Sequence, residues 1–386
     1  MPFLLFFPVG MMYAGIIIFI FLWLATGNFK EKWASTRCSA LFIPIAVMLS
    51  VVTINFLFFT IASNAQWSAL IHYFVFLFVL LFLSLGHGTW QLKARKVFLF
   101  GAIYGSTVYY LAHLGMLPEW QVFKNYAVYT GNKSIVLSIL LAIASAWLLN
   151  DTIRNSNKLA IWLGVAGYLY IAFAVLFLAT SRTGMLLFFI LSTVVLIPHF
   201  SLTLRGLCLV LSIPLIVSIA WHFSPTLRER SLITVESIAA FAKGQIGTGD
   251  GNRLQFIQKT GEMILERPLL GHGVGSWLIQ YPTRARGLET AGMSTPHNDY
   301  LLYGAELGLV GLIALVAIFF VICRIAWQAG GAAGLPLMVI GVSLIVGCGL
   351  NAMLRDWKFA LPMVILLRIA LIDTKPTPRL SAETSH

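Results

Sequence analysis

Residues 300–323 read YLLYGAELGLVGLIALVAIFFVIC, an apolar run whose only formal charge is Glu306. A bilayer core of about 30 Å takes about 20 apolar residues per helix, so this run reads as a transmembrane span. Working outward, ten further runs read the same way: 4–26, 39–62, 70–86, 97–116, 134–149, 159–179, 184–200, 206–222, 335–354 and 359–372. The first lacks a basic n-region and any small-x-small site before Gly27, so it is expected to remain as a helix, broken at Pro8. Composition agrees, with 59% hydrophobic and 10% charged residues, against about 25% charged in ordinary soluble proteins. The expected fold is an all-α polytopic membrane protein of about 11–12 helices. Its expected parts are N-terminal helices over 1–222, an outer loop over 223–299, C-terminal helices over 300–372 and a tail over 373–386.

The chain carries 26 Lys and Arg against 14 Asp and Glu, a net charge of +12. In a soluble protein that balance invites a nucleic-acid reading; here it is explained by orientation. Short loops after spans 1, 3, 5, 7 and 9, with the tail, hold twelve basic residues, among them Lys30, Lys93, Arg95, Arg154 and Arg324. The opposite short loops hold five: Lys124, Lys133, Arg182, Arg355 and Lys358. The first set is expected in the cytoplasm, which puts the 223–299 loop on the outer side and makes ATP-driven or cytosolic-cofactor chemistry unexpected. Cys38, Cys208, Cys323 and Cys348 show no C-x-x-C spacing and read as packing residues. The aromatic stretch from Trp120 to Tyr129 reads as interfacial anchoring.

Within the outer loop, GTGDGN at 247–252 precedes Leu254, Ile257, Gly261 and Ile264, spaced as one face of an amphipathic helix. Asp250 or Asn252 is the expected N-cap, and Arg253 sits in the first turn, where free N–H groups favour an anion. A capped helix with an exposed arginine fits the same residues. GHGVG at 271–275 has neither the spacing nor the preceding strand of a dinucleotide site and reads as a tight turn, with His272 a polar turn residue.

Ser181-Arg182-Thr183-Gly184 leaves an arginine between two spans. Such a side chain either snorkels to the interface or clamps a phosphate with its planar fork. Arg355-Asp356 has the same two-sided reading: a mutual salt bridge, or an Asp356 that orients an arginine or a substrate hydroxyl. His297-Asn298-Asp299-Tyr300 opens a span on the same outer face, and an imidazole with pKa near 6.5 can take a proton at ambient pH. His297 is the best candidate base of the eight histidines; His72, His87, His113 and His222 lie at span ends without basic clusters. No H-x-x-x-H or H-E-x-x-H pattern marks a metal site.

Taken together, S-R-T-G at 181–184, Arg253 to Phe256, ERPLLGHGVG at 266–275, and His297-Asn298 followed by Gly308 and Gly311 resemble the O-antigen ligase/Wzy polymerase superfamily. The ligases of that family share an H-[NSQ]-x9-G-x2-[GTY] pattern. The resemblance implies a metal-independent, cofactor-free, inverting glycosyltransferase of GT-C type in the bacterial inner membrane, active on the periplasmic face. Its donor would be an undecaprenyl-diphosphate-linked glycan and its acceptor a lipid A-core sugar. By resemblance, Arg182 and Arg253 would hold the diphosphate and His297 would activate the acceptor hydroxyl, with Asp356 and Asn298 in support. A polymerase joining lipid-linked repeat units is the alternative, and a lipid-linked sugar flippase or transporter a more distant one. Family ligases show twelve spans and a cytoplasmic start, whereas eleven runs with an outer start are read here. The lack of a soluble extension after residue 373 argues against a protein-glycosylating relative.

Overall fold

The computed structural model describes residues 1–59, 64–117, 131–199 and 250–371, with the single positions 232 and 236. The described residues form fourteen α-helices and no strand. In chain order the helices are α1 (Val9–Ala25), α2 (Phe29–Cys38), α3 (Phe42–Phe58), α4 (Asn64–Tyr73), α5 (Val75–Leu83), α6 (Trp90–His113) and α7 (Gly131–Ile153). They continue as α8 (Lys158–Phe173), α9 (Arg182–Leu196), α10 (Asp250–Glu266), α11 (Ser276–Arg284), α12 (Asp299–Ala329), α13 (Gly331–Leu350) and α14 (Trp357–Ala370).

Each of the ten expected spans that falls in the described residues is helical; the run 206–222 and the aromatic stretch 120–129 lie outside them. Among the described residues, six helical stretches are long and apolar enough to cross a membrane, or seven if the α1–α2 pair, bent by 115°, counts as one. The other expected spans fall short for visible reasons. α3 has 17 residues and α14 has 14, while α6 carries Lys93, Arg95 and Lys96 in its first turns. The chain breaks at Pro8, which separates a 3-10 turn over Pro2–Phe6 from α1.

α7 is the hub. Its stretch SILLAIASAW at 138–147 is buried all round, and small Ser and Ala side chains let neighbouring backbones approach closely, as membrane helix packing requires. α9 and α13 lie against it, and Trp147 Nε1 donates to the Pro336 carbonyl of α13 at 3.1 Å. α8 stands at the perimeter with Leu159, Trp162, Leu163 and Leu169 exposed on the outside of the bundle.

α12 is a broken helix. Gly308 has φ 67° and ψ −162°, so two intrahelical bonds are lost where water cannot replace them. The 268–273 turn replaces them with its own backbone. His272 and Gly273 N–H groups donate to the Ala305 and Glu306 carbonyls at 2.9 and 3.0 Å, and Leu309 and Val310 N–H groups donate to Pro268 and Leu269 at 2.7 and 3.3 Å. A Cβ on Gly308 would stand 2.3 Å from the Leu269 oxygen, so only glycine fits. The 271–275 segment is therefore a tight turn, as expected, whose job is to splice a broken span. His272 lies in this turn, as expected, and is buried, with Nε2 2.8 Å from the Met263 carbonyl.

The outer loop has its own small core. Trp277 and Tyr281 stack with ring centroids 4.3 Å apart beside Phe256 of α10, and Trp277 Nε1 donates to Thr260 Oγ1 at 3.0 Å. The buried stripe of α10 is thus Phe256, Thr260 and Met263, and the expected Leu254–Ile257–Gly261–Ile264 face lies beside it, with Ile257 53% exposed. The Trp277–Tyr281 stack determines the face, which spacing alone does not reveal. Because α10 begins at Asp250, Asn252 lies within the first turn and does not cap it.

Candidate active site

Where the starts of α12 and α14 meet α4, they enclose a cavity of about 220 Å³, whose lining includes His72, His297, Asn351, Arg355 and Asp356. His297 precedes the N-cap of α12 with φ 51°, a left-handed conformation that costs a non-glycine residue on the order of 1–3 kcal/mol. Its N–H donates to Thr295 Oγ1 at 3.2 Å, and its ring meets Phe256 edge-on at 5.8 Å. Burial, and then the positive charge of Arg253, lower its pKa below 6.5, with Asp356 pulling the other way. The imidazole is therefore neutral at neutral pH and able to accept a proton.

Asn298 caps α12: Oδ1 accepts the Leu301 N–H at 3.1 Å and Nδ2 donates to the Gly349 carbonyl at 2.8 Å. Its amide fixes the start of the helix that directly follows His297. Asp356 caps α14, accepting the Lys358 N–H at 3.1 Å, and also lines the cavity. The mutual salt bridge with Arg355 is not formed. Arg355 instead turns inward, 6% exposed, and donates from Nη1 to the Ala69 carbonyl at 3.1 Å.

Arg182 is the first residue of α9 and is exposed. A π-turn over Ala174–Leu178 ends the preceding span, and Ser181 Oγ caps α9 by accepting the Gly184 N–H at 3.2 Å. Gly184 is required by close packing, since a Cβ there would meet Ser138 Oγ at 2.3 Å. The next residue along from Arg182, Thr183, accepts the Asn351 amide at 3.0 Å, which ties this turn to the cavity wall. Arg253, in the first turn of α10, is exposed and within electrostatic reach of His297.

The structure thus brings His297, Asp356 and Arg253 into one electrostatic neighbourhood and links the Arg182 turn to it through Asn351. Two cavity residues were given no role of their own by the sequence: Arg355 was weighed only as Asp356's salt-bridge partner, and His72 was set aside as a span-end histidine. Arg355 carried a signal, a charge after the apolar Ala352-Met353-Leu354, which marks it for burial or function. His72 carried none, because only the fold brings the end of α4 to the start of α14.

Fold and geometry define a multi-pass helical membrane protein in which a backbone-strained histidine lines a cavity that also holds Arg355 and Asp356. The family model for O-antigen ligase matches residues 167–316, from within α8 to within α12, so this part of the chain is similar to that family. That span holds Arg182, Arg253, His297, Gly308 and Gly311, while His72, Arg355 and Asp356 lie outside it. A search of the curated proteins found no match.

Proposed function

We propose that the chain transfers O-antigen polysaccharide from undecaprenyl diphosphate to a lipid A-core sugar hydroxyl at the periplasmic face of the bacterial inner membrane. The observation that carries this reading is His297, held neutral and half-buried beside Arg253 in a cavity that also receives the buried Arg355. His297 takes the proton of the acceptor hydroxyl as its oxygen bonds to the anomeric carbon. The bond from that carbon to the phosphate oxygen breaks, and its electron pair leaves on undecaprenyl diphosphate. Attack opposite the leaving group inverts the anomeric centre.

Negative charge grows on the departing diphosphate, so cations aimed at it favour departure more than binding. Arg182 and Arg253 supply two planar forks for this, and Arg355 a third group from the cavity floor. Asp356 tunes His297, and Asn298 holds its helix. The orientation rests on charge asymmetry: Lys93, Arg95, Lys96 and Arg154 gather at the opposite end of the bundle, the side expected to face the cytoplasm.

Reconstitution with defined substrates tests the proposal. Purified protein given a lipid-linked polysaccharide and lipid A-core should form a covalent conjugate and release undecaprenyl diphosphate. Elongation of a lipid-linked repeat unit, with no conjugate to lipid A-core, makes it a polymerase. Movement of the lipid across the bilayer without any new glycosidic bond makes it a transporter.

A further inference from the structure

A second cavity, of about 320 Å³, lies where α6 begins and α7 and α14 end. α13 runs from this cavity at Pro336 to the His297 cavity at Asn351, so the two are about 22 Å apart at 1.5 Å per residue. One wall is basic and polar, with Gln91, Arg95 and Arg154; the other is apolar, with Leu92, Ile369 and Leu371.

Arg95 pairs through Nη2 with Asp151 and lies over the Trp147 ring at 5.5 Å, while its buried Nε has no hydrogen-bond partner. Arg154 is exposed and forms no ion pair with another described residue. Among the described residues, Asp151 is the carboxylate set against Arg95, Arg154 and Lys96, which leaves their summed charge positive. The end of α14 does not cancel it, because the Gln91 amide already covers its carbonyls, donating to Leu371 at 2.7 Å and Arg368 at 3.1 Å. Leu92 and Phe100, two turns apart on α6, are 63% and 68% exposed, so an apolar face runs from the cavity mouth along the outside of the bundle.

We propose that this cavity binds the phosphate of an anionic phospholipid, with Arg154 and Arg95 as its cations and an acyl chain lying along the Leu92–Phe100 face. A free anion would use the cations and leave the apolar face idle, whereas basic pockets between helices on the cytoplasmic side suit lipid head groups. The site is independent of the glycan-transfer reading.

The test titrates the purified full chain, stripped of lipid in detergent, with phosphatidylglycerol, with phosphatidylcholine of the same acyl chains, and with inorganic phosphate. Binding is read by native mass spectrometry and by melting temperature. Phosphatidylglycerol should bind saturably and at least tenfold more tightly than phosphatidylcholine. Arg154→Glu should abolish that preference and Arg154→Lys retain part of it, while Arg286→Glu, in the outer loop, keeps it entirely. Because Arg154 is exposed, its variants should fold with an unchanged helical circular-dichroism spectrum. Equal binding of the two lipids, or a preference that survives Arg154→Glu, overturns the proposal. So does inorganic phosphate that raises the melting temperature as much as the lipid does.

Discussion

Asn351 donates its side-chain amide to Thr183 across 168 residues of sequence, at 3.0 Å, and this bond joins the arginine-bearing start of α9 to the wall of the histidine cavity. Both residues are buried. The contact is how a turn that carries one proposed diphosphate ligand keeps its register with the proposed base.

Asn351→Ala should therefore act on both stability and function. Leaving the buried Thr183 hydroxyl without its donor costs about 1–3 kcal/mol. A lowered melting temperature together with a fall in kcat/KM of about tenfold or more is expected; unchanged transfer would separate the Thr183 turn from the site.

Arg182→Lys and Arg253→Lys should each lose most transfer activity at normal membrane abundance, since a point charge cannot reproduce a two-pronged contact with a diphosphate. Arg355→Lys should lose activity as well, and in addition strain the Ala69 carbonyl contact. Near-full activity of the first two variants in a reconstituted assay would remove the clamp.

The pH dependence of kcat/KM should place its acid limb below pH 6.5, because burial and Arg253 depress the His297 pKa. The unfolded chain binds this proton more readily, so His297 also contributes stability that is lost as pH falls below 6.5. Arg253→Gln, with its residual activity, should move the acid limb upward, and Asp356→Asn should move it down. A limb that ignores both substitutions would detach the titration from His297.

Gly308→Ala should be among the most damaging single changes in the C-terminal half. It forces a side chain into the left-handed region, at about 1–3 kcal/mol, and drives a Cβ against the Leu269 carbonyl. The expected result is a strong loss of protein from the membrane fraction; normal abundance would show that the splice is not needed.

Much of this architecture was legible in the sequence, because burial in lipid leaves long apolar runs. The break at Pro8 and the S-R-T-G turn between two spans were read from local chemistry, whereas the caps that Ser181 and Asp356 supply were not. The break at Gly308 did not, since a glycine inside a continuous apolar run looks like any other small packing residue. The register of α10 was missed by a residue or two because Trp277 and Tyr281, distant in sequence, decide which side is buried. His72 and the inward turn of Arg355 depend on how α4 and α14 dock, which no spacing encodes.

The most direct measurement is conjugation of O-polysaccharide to lipid A-core by purified His297→Ala protein, compared with the unaltered chain at equal abundance and equal melting temperature. Loss of conjugate by a hundredfold or more is the predicted result, consistent with the 10²–10⁴-fold worth of a positioned base. Conjugation at an undiminished rate would contradict the role assigned to this imidazole.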